Sequence, residues 1–546
     1  MGGSFVSAAH FADEPRKPRV QRFLLGALVY AAVIVAVASG AALRYRSGEI
    51  RYFNEDASQH VLLTVEAYNE TPASQHLFLP IVSLGDPSDK YIPWGHTIPD
   101  SQGNYYYTSF SPAGFFVAWV FMRAFGLPVA ESSLYLLNVV LLSASACILA
   151  HLISTAYDRC RQRWALAFAG AILYAFVPEV LHGMGIVYWH QSVMQVTLLL
   201  QIAAYYHYAV RGSGGGWRVA FYALALLNPY VEWTGYVANV GFALAELFRN
   251  RREGLRRAFI RASELAGLTL CSLVLFCAHY LMRVSAADFL DSLLFSFTAR
   301  NAASDQATYL DLLSGYAGSL LFLWGLLGVA LVWALLVRRG SLSLSPGFGV
   351  LLFVSAFPLL ENVVMKQHAV AYSYDRMKAA VSLVLLLCEL ARNALEVPAY
   401  RRAKGAPATA ALVATALVTS SLNFVSYVND DHYIYSFFYK EDNELIAQLI
   451  NERYPDAVYA CNRGIRGYAN LLFGRGIYEF QTLESARALA VERGADTVVY
   501  ITMDPPVVLS VEVISPESPG GVTYTLEDGE VVEAQGIFAI ADDGGL

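Results

Sequence analysis

Residues 23–60 read FLLGALVYAAVIVAVASGAALRYRSGEIRYFNEDASQH: an apolar run of bilayer length gives way at Arg44 to a polar stretch that carries Glu55-Asp56. The run Phe23–Leu43 follows a basic segment (Arg16, Lys17, Arg19, Arg22) and is too long for a signal-peptide core, so it reads as a retained first span. The rest of the chain repeats the pattern. Apolar residues make up 56% of the 546 and charged residues only 15%, which excludes a soluble multidomain protein. Six cysteines (Cys147, Cys160, Cys271, Cys277, Cys388, Cys461) show neither metal-site spacing nor the density of a disulfide framework and are read as structural.

Spans are expected at about 23–44, 131–154, 163–181, 190–210, 217–229, 231–248, 261–283, 312–337, 347–361, 369–391 and 407–428, about 11 crossings. Lys and Arg near short loops mark the inner side. Arg159, Arg161 and Arg163, Arg211 and Arg218, Arg249 to Arg257, Arg338 and Arg339, and Arg401 to Lys404 then all fall inside. The amino terminus is placed in the cytoplasm, the acidic loop 45–111 outside, and the carboxyl terminus outside. Phe115–Phe125 is too short for a crossing and is expected to lie along the interface. The two spans between 217 and 248 are expected to meet at Asn228-Pro229-Tyr230, and 284–311 to form a mobile cover.

Two domains are expected, 1–428 in the membrane and 429–546 outside. The second carries 20 Asp+Glu against 7 Lys+Arg. Glu444–Glu452 and Thr482–Arg493 read as helices, and 457–460, 497–502, 507–514 and 521–526 as strands, a small α/β module.

Loop 45–111 has the composition of a site. Asp56 stands about a dozen residues past the first span, near the interface, where a carboxylate can take a proton from a hydroxyl, or can simply cap a helix. Glu55 and His60 lie within a turn of it. Between spans nine and ten, Lys366, His368, Arg376 and Lys378 form the one cluster of cations on the outer side of the membrane body. Charge near a bilayer is costly unless paired or useful. Recognition of a phosphate by Arg and Lys is one account; internal pairing with Glu361 and Asp375 is the other. His190 and Glu232 sit among Tyr and Trp at outer span ends, where an aromatic belt explains the rings but not the ionisable groups. Tyr374 joins them as a weaker substrate-binding candidate.

An amino-terminal span, a long outer loop with Glu55-Asp56 early in it, a juxtamembrane helix, about ten further spans and an outer carboxyl-terminal domain resemble the GT-C superfamily of polyprenyl-phosphate-dependent glycosyltransferases. The likeness covers the whole chain as architecture. It implies an α-helical polytopic fold and transfer of a sugar, hexose or pentose, from a polyprenyl-phosphate-linked donor to a glycan, lipid or protein acceptor at the outer face. It further implies inversion, with Asp56 as general base assisted by Glu55, and Lys366, His368, Arg376 and Lys378 on the donor phosphate. The expected setting is the lipid bilayer of a bacterial inner membrane, with no nucleic-acid partner. No cofactor is required by this reading, and metal independence is preferred; a divalent cation held by Asp56 with Asp86 or Asp89 is the alternative. Two competitors stay open: an O-antigen polymerase or ligase, which would not need the acidic pair, and a transporter, which should show repeated halves.

Overall fold

The computed structural model describes residues 19–45, 50–52, 55–85, 97–251, 254–301, 307–338, 343–396, 406–429, 434–437, 451–452, 454–462, 474–478, 481–495, 497–504, 508–514, 522–525 and 531–534. Each of the eleven expected apolar segments falls on helix. Four of these helices are long and apolar enough to cross a bilayer: Phe23–Arg44 within α1 (Arg19–Tyr45), α5 (Glu131–Ala156), α11 (Leu255–Leu281) and the last helix, Ala406–Val428. Two bent pairs pass together: α6 (Arg163–Ala175) with Pro178–Ile186, at 69°, and α13 (Tyr309–Ser319) with Leu321–Trp333 of α14 (Leu321–Arg338), at 77°. By length and composition the described helices therefore give four to six spans, against the eleven expected. Shorter elements, α8 (His190–Tyr205), α9 (Gly215–Val231), α10 (Thr234–Asn250) and α18 (Ala379–Leu395), pack among them.

The helical break after α6 follows from Pro178, which takes the first position of a single turn, Pro178–Leu181, where its missing N–H costs nothing. A π-helical turn, His182–Ile186, continues it. Gly183 is required there, since a Cβ would stand 2.4 Å from Cβ of Tyr374. The turn between α9 and α10 falls at Glu232-Trp233 rather than at Asn228-Pro229-Tyr230. Helix α9 runs through Pro229 to Val231. The Asn228 amide donates to Oε1 of Gln201 (2.6 Å) and holds that stretch against α8. Glu232, extended, then accepts the Thr234 N–H at 2.8 Å and caps α10.

Loop 45–111 folds mainly as α2 (Glu55–Glu70), buried along most of its length, and a two-stranded ribbon, Ile98–Pro99 against Tyr105–Tyr106. The segment expected at the interface is α4 (Ala113–Phe125), whose 13 residues are too few to span. The region 284–311, expected as a mobile cover, is helical in its first half. Its first half is α12 (Ala286–Arg300), started by a Ser285 N-cap that accepts the Asp288 N–H.

In the carboxyl-terminal segment, Val458–Cys461 pairs in parallel with Val498–Asp504, which pairs antiparallel with Val508–Ile514. The helix Leu483–Glu492 covers this sheet. The expected helix Glu444–Glu452 lies outside the described residues except for its last two. Ile50–Tyr52 pairs with Ile434–Phe437, so the segment after the first helix and the one after the last meet in one ribbon.

Candidate functional site

The site is built around the five residues Tyr107-Thr108-Ser109-Phe110-Ser111, which run between the ribbon and α4. A loop buried here needs donors for its carbonyls, and side chains from three helical segments supply them. Tyr280 of α11 donates to the carbonyls of Tyr107 (2.9 Å) and Phe110 (2.7 Å). The Trp233 indole donates to that of Ser109 (2.9 Å), and Nε2 of His190 to that of Ser111 (2.9 Å). That last bond fixes the His190 tautomer. With the proton on Nε2, Nδ1 is a buried lone pair with no hydrogen-bond partner among the described residues. Gly114 lies flat against the same ring, where a Cβ would be 2.6 Å from it.

Phe110 is the centre of an aromatic and histidine cluster. His190 stacks on it at 4.8 Å between centroids, and His368 lies 6.0 Å away. His60 meets Tyr107 (4.6 Å), Trp189 (5.1 Å) and Phe115 (5.2 Å). Burial holds the His60 imidazole well below its ordinary pKa, and the charges of His190 and Arg300 act in the same direction. Ser58 anchors α2 here by accepting the Tyr188 N–H at 2.9 Å. Glu55 and Asp56 occupy the first turn of that helix; Asp56 precedes His60 by four residues, hence on the same helical face. Their side chains lie outside the described part of the structure, as do Asp86 and Asp89. Among the described residues no three His, Cys, Asp or Glu side chains gather as a metal site.

The cations expected on the outer side divide. Arg376 pairs with the fully buried Glu179 (2.8 Å) and also donates to the carbonyls of Ala369 (2.7 Å) and Val370 (3.2 Å). Lys378 pairs with Glu361, which also accepts from the Thr234 hydroxyl. His368 donates through Nδ1 to Asp375, whose other oxygen takes the Gln191 amide at 2.6 Å. Internal pairing is therefore what the structure has for these three, with Glu179 as an acid that its place in the sequence does not bring near them. Three of the four cations expected on a phosphate are thus engaged with buried acids. Lys366 is the exception in kind: its ammonium stands 5.2 Å from the centroid of the Tyr309 ring. Glu232 is a helix cap as described, and Tyr374 stacks on Tyr372 at 5.5 Å with its Cβ against Gly183.

One cation was missed. Arg300, the last residue of α12, donates to the Tyr107 hydroxyl (2.8 Å), and its guanidinium stands 5.5 Å from the Phe110 centroid. No salt bridge matches it among the described residues. In sequence it is a lone Arg in an outer segment, with nothing to mark it. Glu179 did carry a signal, as an acid inside an expected span.

This arrangement can hold an anion at Arg300 on an aromatic floor. No family model and no curated protein matches the sequence. Solved structures do. ArnT from Cupriavidus metallidurans, bound to undecaprenyl phosphate, superposes with a TM-score of 0.52 at 10% identity, covering 89% of this chain and 94% of that one. The archaeal oligosaccharyltransferase AglB from Archaeoglobus fulgidus, in complex with an inhibitory peptide and a dolichol-phosphate, gives 0.51 at 13% identity, covering 96% and 77%. The chain shares the fold of these two structures. At such low identity the likeness concerns the fold, and the residues of the site must argue for themselves.

Proposed function

We propose that this protein is a membrane glycosyltransferase that moves a sugar from a polyprenyl-phosphate-linked donor to a glycan, lipid or protein acceptor at the outer face. The observation that carries the reading is Arg300: a guanidinium with no carboxylate partner among the described residues, on an aromatic floor, in a fold whose solved neighbours hold undecaprenyl phosphate and dolichol-phosphate. Three nearby cations are matched by acids; this one is left for a ligand.

In the proposed reaction the donor phosphate lies on Arg300, with Lys366 as a second cation. Asp56 takes the proton of the acceptor hydroxyl as its oxygen attacks the anomeric carbon from the face opposite the phosphate. The bond from that carbon to the phosphate oxygen breaks, the configuration inverts, and the lipid phosphate leaves with the electron pair. Charge growing on that phosphate is what Arg300 stabilises. Glu55 orients the acceptor. His60, held neutral, and His190, with its free lone pair, bound the sugar pocket. His368, Arg376 and Lys378 act behind this layer and fix the floor through Asp375, Glu179 and Glu361.

The test is a proteoliposome assay with radiolabelled polyprenyl-phosphate sugars and identification of the labelled product. Asp56→Asn should abolish turnover while donor binding persists, and Arg300→Ala should weaken donor binding by about tenfold or more, the loss of one charged hydrogen bond. Turnover of Asp56→Asn at the parental rate would remove the base, and with it favour a polymerase or ligase chemistry that runs on outer cations.

A further inference from the structure

Helix α11 reaches the site at its last turn, through Tyr280. Its first turn and the end of α10 form a separate groove of about 580 Å³, within the range that small-molecule sites occupy. Leu247, Phe248, Arg251, Leu255, Arg256 and Phe259 line it. At 1.5 Å per residue the helix from Arg256 to Tyr280 is about 36 Å long, more than the roughly 30 Å of a bilayer's hydrocarbon. Since α11 is a candidate span, the groove and the site loop border opposite leaflets.

Two features of the groove point to an anion that brings its own hydrocarbon. Phe248, Leu255 and Phe259 are 61%, 78% and 70% exposed, which in water would leave three large apolar side chains uncovered at one place. Between them stand Arg251 and Arg256, both exposed and with no ion pair or side-chain hydrogen bond among the described residues. Two neighbouring arginines are already matched, Arg249 by Glu246 at 3.0 Å and Arg261 by Glu264 at 2.9 Å. Residues 249–261 hold six arginines and one acid, Glu253, whose side chain lies outside the described part of the structure. The surplus is positive, and a guanidinium fork fits the oxygens of a phosphate.

The surface below the groove suits an acyl chain. Phe259, Ser263, Gly267, Leu270 and Val274 follow one another by three or four residues, so they share a helix face, and all five are exposed. Nothing stands within 4 Å of the place a Gly267 Cβ would take, which leaves a shallow trough between Phe259 and Leu270.

We propose that the groove between α10 and α11 binds an anionic phospholipid of the leaflet opposite the site loop, with its phosphate on Arg251 and Arg256 and an acyl chain along Phe259, Gly267 and Leu270. The site is independent of the donor reading, since it lies a bilayer's thickness from the loop that carries that reading.

Native mass spectrometry of the purified full chain, titrated in detergent with dioleoylphosphatidylglycerol or dioleoylphosphatidylcholine, tests it. One phosphatidylglycerol should bind about tenfold more tightly than phosphatidylcholine with the same chains. Arg251→Gln and Arg256→Gln should each weaken it about fivefold, the contribution of one cation near an anionic lipid. Arg159→Gln, which removes an exposed charge expected on the same side of the membrane, should leave it unchanged. The lipid-free variants should melt like the parent, because all three side chains are exposed. Glycosyl transfer is not read in this assay, so failure here and failure of the donor reading are separate results. Equal binding of the two lipids, an equal loss in Arg159→Gln, or complete displacement by excess inorganic phosphate would overturn the proposal. A lipid-free dimer that Phe259→Ala dissolves would do the same, since a second copy would then be the occupant.

Discussion

Arg376→Ala distinguishes a structural ion pair from a ligand clamp. Its guanidinium and Glu179 are 4% and 0% exposed, and Nε and Nη2 converge on one carboxylate oxygen at 2.9 and 2.8 Å. Removing the arginine leaves Glu179 ionised in the interior with the Ser319 hydroxyl as a donor. Breaking a buried pair in this way costs about 3–5 kcal/mol. Glu179→Leu should cost a similar amount, since it strands the cation, whose two carbonyl partners at Ala369 and Val370 cannot neutralise it. The double variant Glu179→Leu/Arg376→Ala should cost less than the sum of the singles by about 3 kcal/mol, because neither charge is then left alone. Denaturant unfolding of the purified protein in detergent reads all three, and isothermal titration with a short-chain polyprenyl phosphate reads the site. If Arg376→Ala unfolds like the parent and only phosphate affinity falls, Arg376 is a clamp and the pairing argument is wrong.

Three further outcomes are expected. Gly114→Ala should displace the His190 ring, at about 1–3 kcal/mol of stability, and reduce turnover well beyond that of a surface Gly→Ala such as Gly216→Ala measured beside it. Burial pushes His76 down to about 4 from its ordinary 6.5, so the unfolded chain binds its proton first. The stability His76 confers is therefore full above pH 6.5 and falls as pH drops toward 4; thermal unfolding of His76→Gln should lose less over that window than the parent. Lys378→Met should destabilise by several kcal/mol through the stranded Glu361, and Lys378→Met/Glu361→Gln should recover part of it in the same unfolding assay.

Hydropathy alone located eleven apolar segments that all fall on helix, because about 20 apolar residues in a row have few other uses. It fared less well on crossings. Bent pairs such as α6 with Pro178–Ile186 join two short helices that a hydropathy window reads as one, and short helices such as α9 and α10 owe their place to neighbours. Helix α12 escaped because its apolar residues Phe289, Leu290, Leu293, Leu294, Phe295 and Phe297 are interrupted by Asp291, Ser292 and Ser296, and the segment read as a cover. Only the packed structure shows that the serines face inward.

The sequence by itself determined the membrane class of the chain, the place of Glu55-Asp56 early in a helix after the first span, and the clustering of Lys366, His368, Arg376 and Lys378 within 13 residues, since composition and order along the chain are enough for each. Which of those cations are spoken for was decided by tertiary structure. Glu179 reaches Arg376 across 197 positions, and Arg300 reaches the site loop across 193. Charge compensation in an interior of low dielectric depends on separations of a few ångströms, and linear sequence does not encode which distant residues will be brought that close.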